Sequence, residues 1–211
     1  MPEPLAELFS SRVRAAVLTL VLARPHLRFS LTELSRRLGL PVSSLQHECY
    51  KLTRLGLLRD ERVGNARLYG PDPAWPLLEP LTALTVRAMP LKEALRGAAE
   101  GVPGIDSAWV SGDLTSRSDP VYVVVLGNIG VDDLDGIFER CQVALAPISG
   151  RSRIELAYFR PADWEARLTC SDPFTTSLLD GPRTELRAIV REDRQDPDMA
   201  ESFTLGVCET G

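Results

Sequence analysis

Seven residues between 43 and 54 that donate hydrogen bonds or carry positive charge are spaced to act together: Ser43, Ser44, Gln46, His47, Tyr50, Lys51 and Arg54. The same stretch places Leu45, Cys49, Leu52 and Leu55 at helical spacing on its other side, and only Glu48 brings a carboxylate nearby. A DNA major groove offers acceptors on guanine and a donor–acceptor pair on adenine, so such a face can read base edges or hold phosphates. Gln46, His47 and Tyr50 are the candidates for base contact, and Lys51 and Arg54 for phosphate. Arg62, Asn65 and Arg67 follow around Gly64-Asn65, with both arginines suited to a sugar-phosphate backbone. A solvated amphipathic helix would account for the first set, but not for the basic hairpin beside it.

The elements that must position these residues have local causes. Ser30 with Glu33 three residues on forms a capping box, so a helix begins at Leu31, with Leu34 and Leu38 on its buried stripe. Gly39 closes it, since the residue past a helix end often adopts a left-handed conformation that glycine tolerates. Pro41 then opens a second helix, about Val42 to Leu55, where a missing amide costs nothing. Leu57 to Val63 and Ala66 to Tyr69 flank Gly-Asn as a tight hairpin. Upstream, Ser11 to Ala23 is a helix with Val13, Val17, Leu20 and Val21 on one face, stopped by Pro25, and Leu27 to Phe29 is placed to pair with the hairpin as a third strand. This is the order of a winged helix-turn-helix.

Charge divides the chain near residue 70. Residues 1–70 carry 11 Lys and Arg against 6 Asp and Glu, whereas residues 71–211 carry 13 against 23. The mildly acidic whole, with a formal net charge of −5, therefore contains a basic N-terminal module. Cys49, Cys141, Cys170 and Cys208 form no C-x-x-C pair, and the two histidines, His26 and His47, lie far from any cysteine cluster, which argues against structural zinc and a disulfide scaffold. No cofactor is called for. The chain has neither a convincing signal peptide nor a run of about 18 apolar residues that would span a membrane, so the expected location is the cytoplasm.

Beyond the hairpin, Pro71, Pro73 and Pro76 mark a turn, and Leu77, Leu81 and Leu84 define a helix that Pro90 separates from a second, Leu91 to Ala99. This helical linker, residues 71–100, either supplies a dimer contact or closes a core. After a turn at Gly101 to Gly104 come a strand at Ala108 to Val110, the polar loop SGDLTSRSDP and the apolar strand VYVVVLG. A strand that apolar is buried on both faces, so helices should cover its sheet. A helix follows at Val131 to Ala146, a strand at Arg153 to Phe159, short helices at Ala162 to Leu168 and Phe174 to Leu179, and an edge strand at Glu185 to Val190. Residues 191–211 are acidic and aperiodic, as expected of a disordered tail.

The chain resembles bacterial and archaeal proteins in which an N-terminal winged helix is fused to a minimal nucleotidyltransferase-like domain. The resemblance spans roughly residues 7 to 190 and rests on LTELSRRLGLPVSSLQHECYKLTRLGLLR, GNARLYG, PGIDSAWVSG and DWEARLTCSDPFTTSLLDGP. It implies an α+β protein: a winged helix-turn-helix in residues 1–70, the linker, and a small α/β nucleotidyltransferase-like domain in residues 101–190. It also implies a magnesium site, with Gly112 matching the glycine of the family's Gly-Ser and Asp119 its first metal carboxylate. Here Asp113 replaces the serine and Val121 the second carboxylate, while Glu155 matches a third. Asp119 and Glu155 alone make a poor magnesium site, so transferase chemistry is expected to be absent.

The expected function is thus a DNA-binding transcriptional regulator, not an enzyme, acting on double-stranded DNA as a homodimer, because regulators of this kind engage two half-sites about one helical turn apart. Two other readings stay open: an active nucleotidyltransferase using Asp119 and Glu155, and an antitoxin-like protein-interaction module. A nucleotide or anion held by Ser116, Arg117 and Ser118 is the ligand to consider in the second domain.

Overall fold

The computed structural model describes residues 3–114, 119–145 and 154–187. The loop residues Ser116, Arg117 and Ser118, and the acidic tail from 191 on, lie outside the described residues.

A short helix absent from the sequence expectations, α1 (Glu3–Leu8), precedes α2 (Arg12–Leu22). Ser11 caps α2, its hydroxyl accepting from the Arg14 amide at 3.2 Å. From Ala15 to Leu22 every residue of α2 is buried, because α1, α4 and α5 surround it. That is why the segment is apolar on all sides and not along one stripe.

Helix α3 (Leu31–Leu38) starts at the Ser30 cap and ends at Gly39, which takes φ +66°. The reciprocal half of the expected capping box is replaced: Glu33 pairs with Arg37 one turn on, at 2.9 Å. Helix α4 (Val42–Arg54) buries Leu45, Cys49 and Leu52. Leu55, the C-cap residue, does not join them and is 61% exposed. Glu48 is also turned inward, to Arg14 at 2.6 Å. Its charge is thereby withdrawn from the polar face of α4.

Strands β1 (Phe29–Ser30), β2 (Leu58–Val63) and β3 (Ala66–Pro71) form an antiparallel sheet in the order β1-β3-β2. The first strand falls at the end of the Leu27 to Phe29 segment and one residue beyond it. Of the two turn residues Gly64 and Asn65, only Gly64 takes a positive φ, +60°, as a hairpin turn with glycine first requires.

The linker helices α5 (Leu78–Arg87) and α6 (Leu91–Ala99) join this unit to the second. Leu78 and Leu81 pack on the core of the first unit, whereas Val86, Met89, Ala94, Leu95, Ala98 and Ala99 belong to the next. Of the two roles open to this linker, a dimer contact or the closing of a core, much of its apolar surface serves the second within the chain, leaving Leu77 and Leu84 exposed. Gly97 sits where a Cβ would come within 2.9 Å of the Ala23 carbonyl, so the α6–α2 contact needs its lack of a side chain.

The second sheet contains β4 (Ile105–Ser111), β5 (Val121–Gly127), β6 (Ile154–Phe159) and β7 (Arg183–Arg187) in the order β6-β5-β4-β7. Helix α7 (Val131–Leu145) makes the crossover between parallel β5 and β6, and the other pairs are antiparallel. One face packs with α6 and α7; the other carries Trp109, Val124 and Phe159 against α8 (Pro161–Thr169) and α9 (Pro173–Asp180). Val121 and Val123 to Val125 are fully buried because β5 is central and covered on both sides. The strand expected from Glu185 is β7, one of the two edges of this sheet, and it begins two residues earlier. The fold is thus mixed α+β with two sheets, and among the described residues no helix is long and apolar enough to cross a membrane.

Candidate nucleic-acid interface

Helix α4 packs mainly on α2, α3 and β2, which leaves its polar face open to solvent. Ser43, Ser44, Gln46, His47, Tyr50, Lys51 and Arg54 are all exposed, as are Arg62, Asn65 and Arg67 on the hairpin. Between α4 and β3 lies a groove of about 570 Å³, lined by Ser43, Gln46, His47, Tyr50, Thr53, Arg54, Arg67 and Tyr69. Six of the residues picked from the sequence therefore meet in one depression. Ser44, Lys51, Arg62 and Asn65 lie on the surface outside it.

Thr53 and Tyr69 are the groove residues that sequence reasoning missed. Thr53 continues the spacing of Ser43, Gln46 and Tyr50 by one more turn, a signal that was present in the residue pattern. Its hydroxyl is buried and has no hydrogen-bond partner among the described residues. Tyr69 carries no such signal, because its place in the groove depends on strand pairing. The Asp60↔Tyr69 and Arg62↔Arg67 pairs put these four side chains on one face of the hairpin.

The electrostatics of the groove are mostly those of donors. Asp60 brings a carboxylate to it, whose Oδ2 accepts from Arg67 Nε at 2.6 Å. That hydrogen bond holds the Asp60 carboxyl below its ordinary range. The Arg67 guanidinium also lies over the Tyr69 ring, 5.7 Å from its centroid. Beneath α4, burial pushes the Cys49 thiol up to about 12, so it packs as a neutral side chain and offers no thiolate. The groove thus combines hydrogen-bond donors, guanidinium groups and aromatic rings.

In the second unit, Gly112, Asp113, Asp119 and Glu155 gather at one end of the sheet. Gly112 follows β4 with φ +120°, and a Cβ there would lie 2.9 Å from the Pro120 carbonyl, so the close approach of β4 and β5 demands glycine. Asp113 and Asp119 are exposed, and Glu155 on β6 stands in register with Tyr122. Val121, where the resemblance implies a second carboxylate, is fully buried. Among the described residues no group of three or more His, Cys, Asp or Glu is placed to hold a metal ion.

No family model, curated protein or solved structure matches this chain.

Proposed function

We propose that the protein is a DNA-binding transcriptional regulator in which residues up to about 71 act as a winged helix-turn-helix. In this reading α4 enters the major groove, and the β2–β3 hairpin, as the wing, follows the adjoining backbone. The observation that carries it is the groove between α4 and β3, where Gln46, His47 and Tyr50 share one solvent-facing depression with Arg54 and Arg67. A polar helix face alone would be a solvated surface; a donor-lined groove with a hairpin as its second wall has the form of a clasp for a nucleic-acid strand. The inward turn of Glu48 supports the same reading, because a carboxylate facing the phosphates would repel them.

The second unit is read as a nucleotidyltransferase-like scaffold without transferase activity, since buried Val121 occupies a required carboxylate position. The regulator acts as a homodimer on duplex DNA in the cytoplasm. The test is selection of bound fragments from a genomic library with the purified full-length chain, followed by anisotropy titration of the enriched duplex. An enriched sequence bound at least about a thousandfold more tightly than a scrambled duplex is expected. No binding to any duplex at low ionic strength would refute the proposal.

A further inference from the structure

Asp60 presents a puzzle in this setting. It is a carboxylate on the groove face of the hairpin, where simple electrostatics would favour its absence from a DNA-binding surface. Its neighbours suggest what it does. Arg62 and Arg67 stand directly opposite each other across β2 and β3, and like charges in that relation repel. Left to themselves, two exposed arginines at the hairpin tip would splay into solvent. Asp60 lies two residues along the strand from Arg62, opposite Tyr69, and its carboxylate takes the Nε of Arg67. Arg67 is thereby drawn away from Arg62, laid over the Tyr69 ring and made part of the groove wall, whereas Arg62 remains outside.

We infer that Asp60 is a positioning residue, which fixes Arg67 in the groove so that its remaining guanidinium donors meet one backbone phosphate of the bound strand in a set geometry. This deepens, and rests on, the DNA-binding reading. Nε is committed to Asp60, and a guanidinium keeps two terminal nitrogens in the same plane, a pair suited to two phosphate oxygens. The ring beneath it restricts tilt. Preorganisation of this kind lowers the ordering cost on binding, and it favours the one register in which a phosphate falls at that point.

Two opposed effects of Asp60 then follow, and they can be separated by sign. Its charge repels DNA everywhere, and its hold on Arg67 favours the correct complex. The experiment measures binding of a duplex enriched by the wild-type chain, and of a scrambled duplex, to wild type, Asp60→Asn, Arg67→Ala and the double variant. Asp60→Asn is expected to weaken the enriched duplex by about 3- to 10-fold, a coupling typical of residues in one network. It should leave scrambled binding unchanged or tighter. In the Arg67→Ala background the same change should tighten both duplexes, since only the charge effect survives, and Asp60→Glu should bind the enriched duplex more tightly than Asp60→Asn.

Tightening by Asp60→Asn in both backgrounds would overturn the inference and leave the DNA-binding reading standing. Weakening in both backgrounds would also overturn it, by showing that Asp60 acts through the hairpin fold and not through Arg67. Failure of the wild-type chain to bind any duplex would remove the DNA-binding reading and the inference with it.

Discussion

Replacing Glu100 with Gln is expected to cost about 2 kcal/mol of folding stability. Glu100 follows α6 at the seam between the two units, and its carboxylate accepts from Arg24 Nε at 2.6 Å and from Arg37 Nη1 at 2.5 Å. Its backbone carbonyl meets His26 Nε2 at 2.6 Å. The Arg24 side chain is only 9% exposed, and its Nη1 already lacks a hydrogen-bond partner among the described residues. Removing the Glu100 charge therefore leaves a guanidinium buried without its counter-ion. For a fully buried pair that costs about 3–5 kcal/mol. The Glu100 and Arg37 side chains are 33% and 24% exposed, so water recovers part of the loss and about 2 kcal/mol remains. Burial pushes the Glu100 carboxyl up, but the hydrogen bonds from Arg24 and Arg37 outweigh it and hold the group below its ordinary value.

A carboxyl lowered on folding contributes stability above its unfolded pKa, and the contribution is lost as pH falls through the folded value. Urea unfolding of wild type and Glu100→Gln should thus show the full gap at pH 7 and a narrowing gap below the ordinary carboxyl range. Adding Arg24→Met to the variant should recover most of the loss, because removing both partners of a buried pair is nearly neutral. A gap below about 0.5 kcal/mol at pH 7, or none of it regained in the double variant, would refute the reasoning.

Three further outcomes are expected. Arg54→Ala should weaken binding to all duplexes alike and reduce the salt dependence by about one unit of slope, whereas Gln46→Ala should cost about 1–3 kcal/mol at one base pair; titrations across salt and across single-base operator variants measure both. Gly39→Ala has open space around the new methyl but holds φ +66°, so thermal or urea unfolding should show a loss of about 1–2 kcal/mol from backbone conformation alone. Cys49 and Cys141 are buried with thiols pushed up to about 12, and mass spectrometry after brief alkylation at pH 8 should find both unmodified while exposed Cys170 is labelled. Modification of Cys49 at the rate of Cys170 would show that α4 is not seated as described.

The sequence determined those features whose causes are local. Ser30, Gly39, Pro41 and Gly64 act within a few residues of themselves, so the ends of α3, the start of α4 and the hairpin turn could be placed before any tertiary contact was known. The polar stripe of α4 was legible for the same reason, and extending its period by one turn reaches Thr53. The continuous apolar run from Val121 to Leu126 likewise required a covered central strand. Tertiary structure alone decided what each polar residue faces. Glu48 differs little from its exposed neighbours as a residue type, yet Arg14, 34 residues away in the chain, turns it inward. Leu55 kept the apolar spacing and is nevertheless exposed at the helix C-cap. Tyr69 and Asp60 entered the groove through strand register, and Arg24, Arg37 and Glu100 met only after 60 and more residues of chain had folded back. Sequence neighbours fix backbone conformation within a turn or two, but the partner of a charge is set by packing between distant segments.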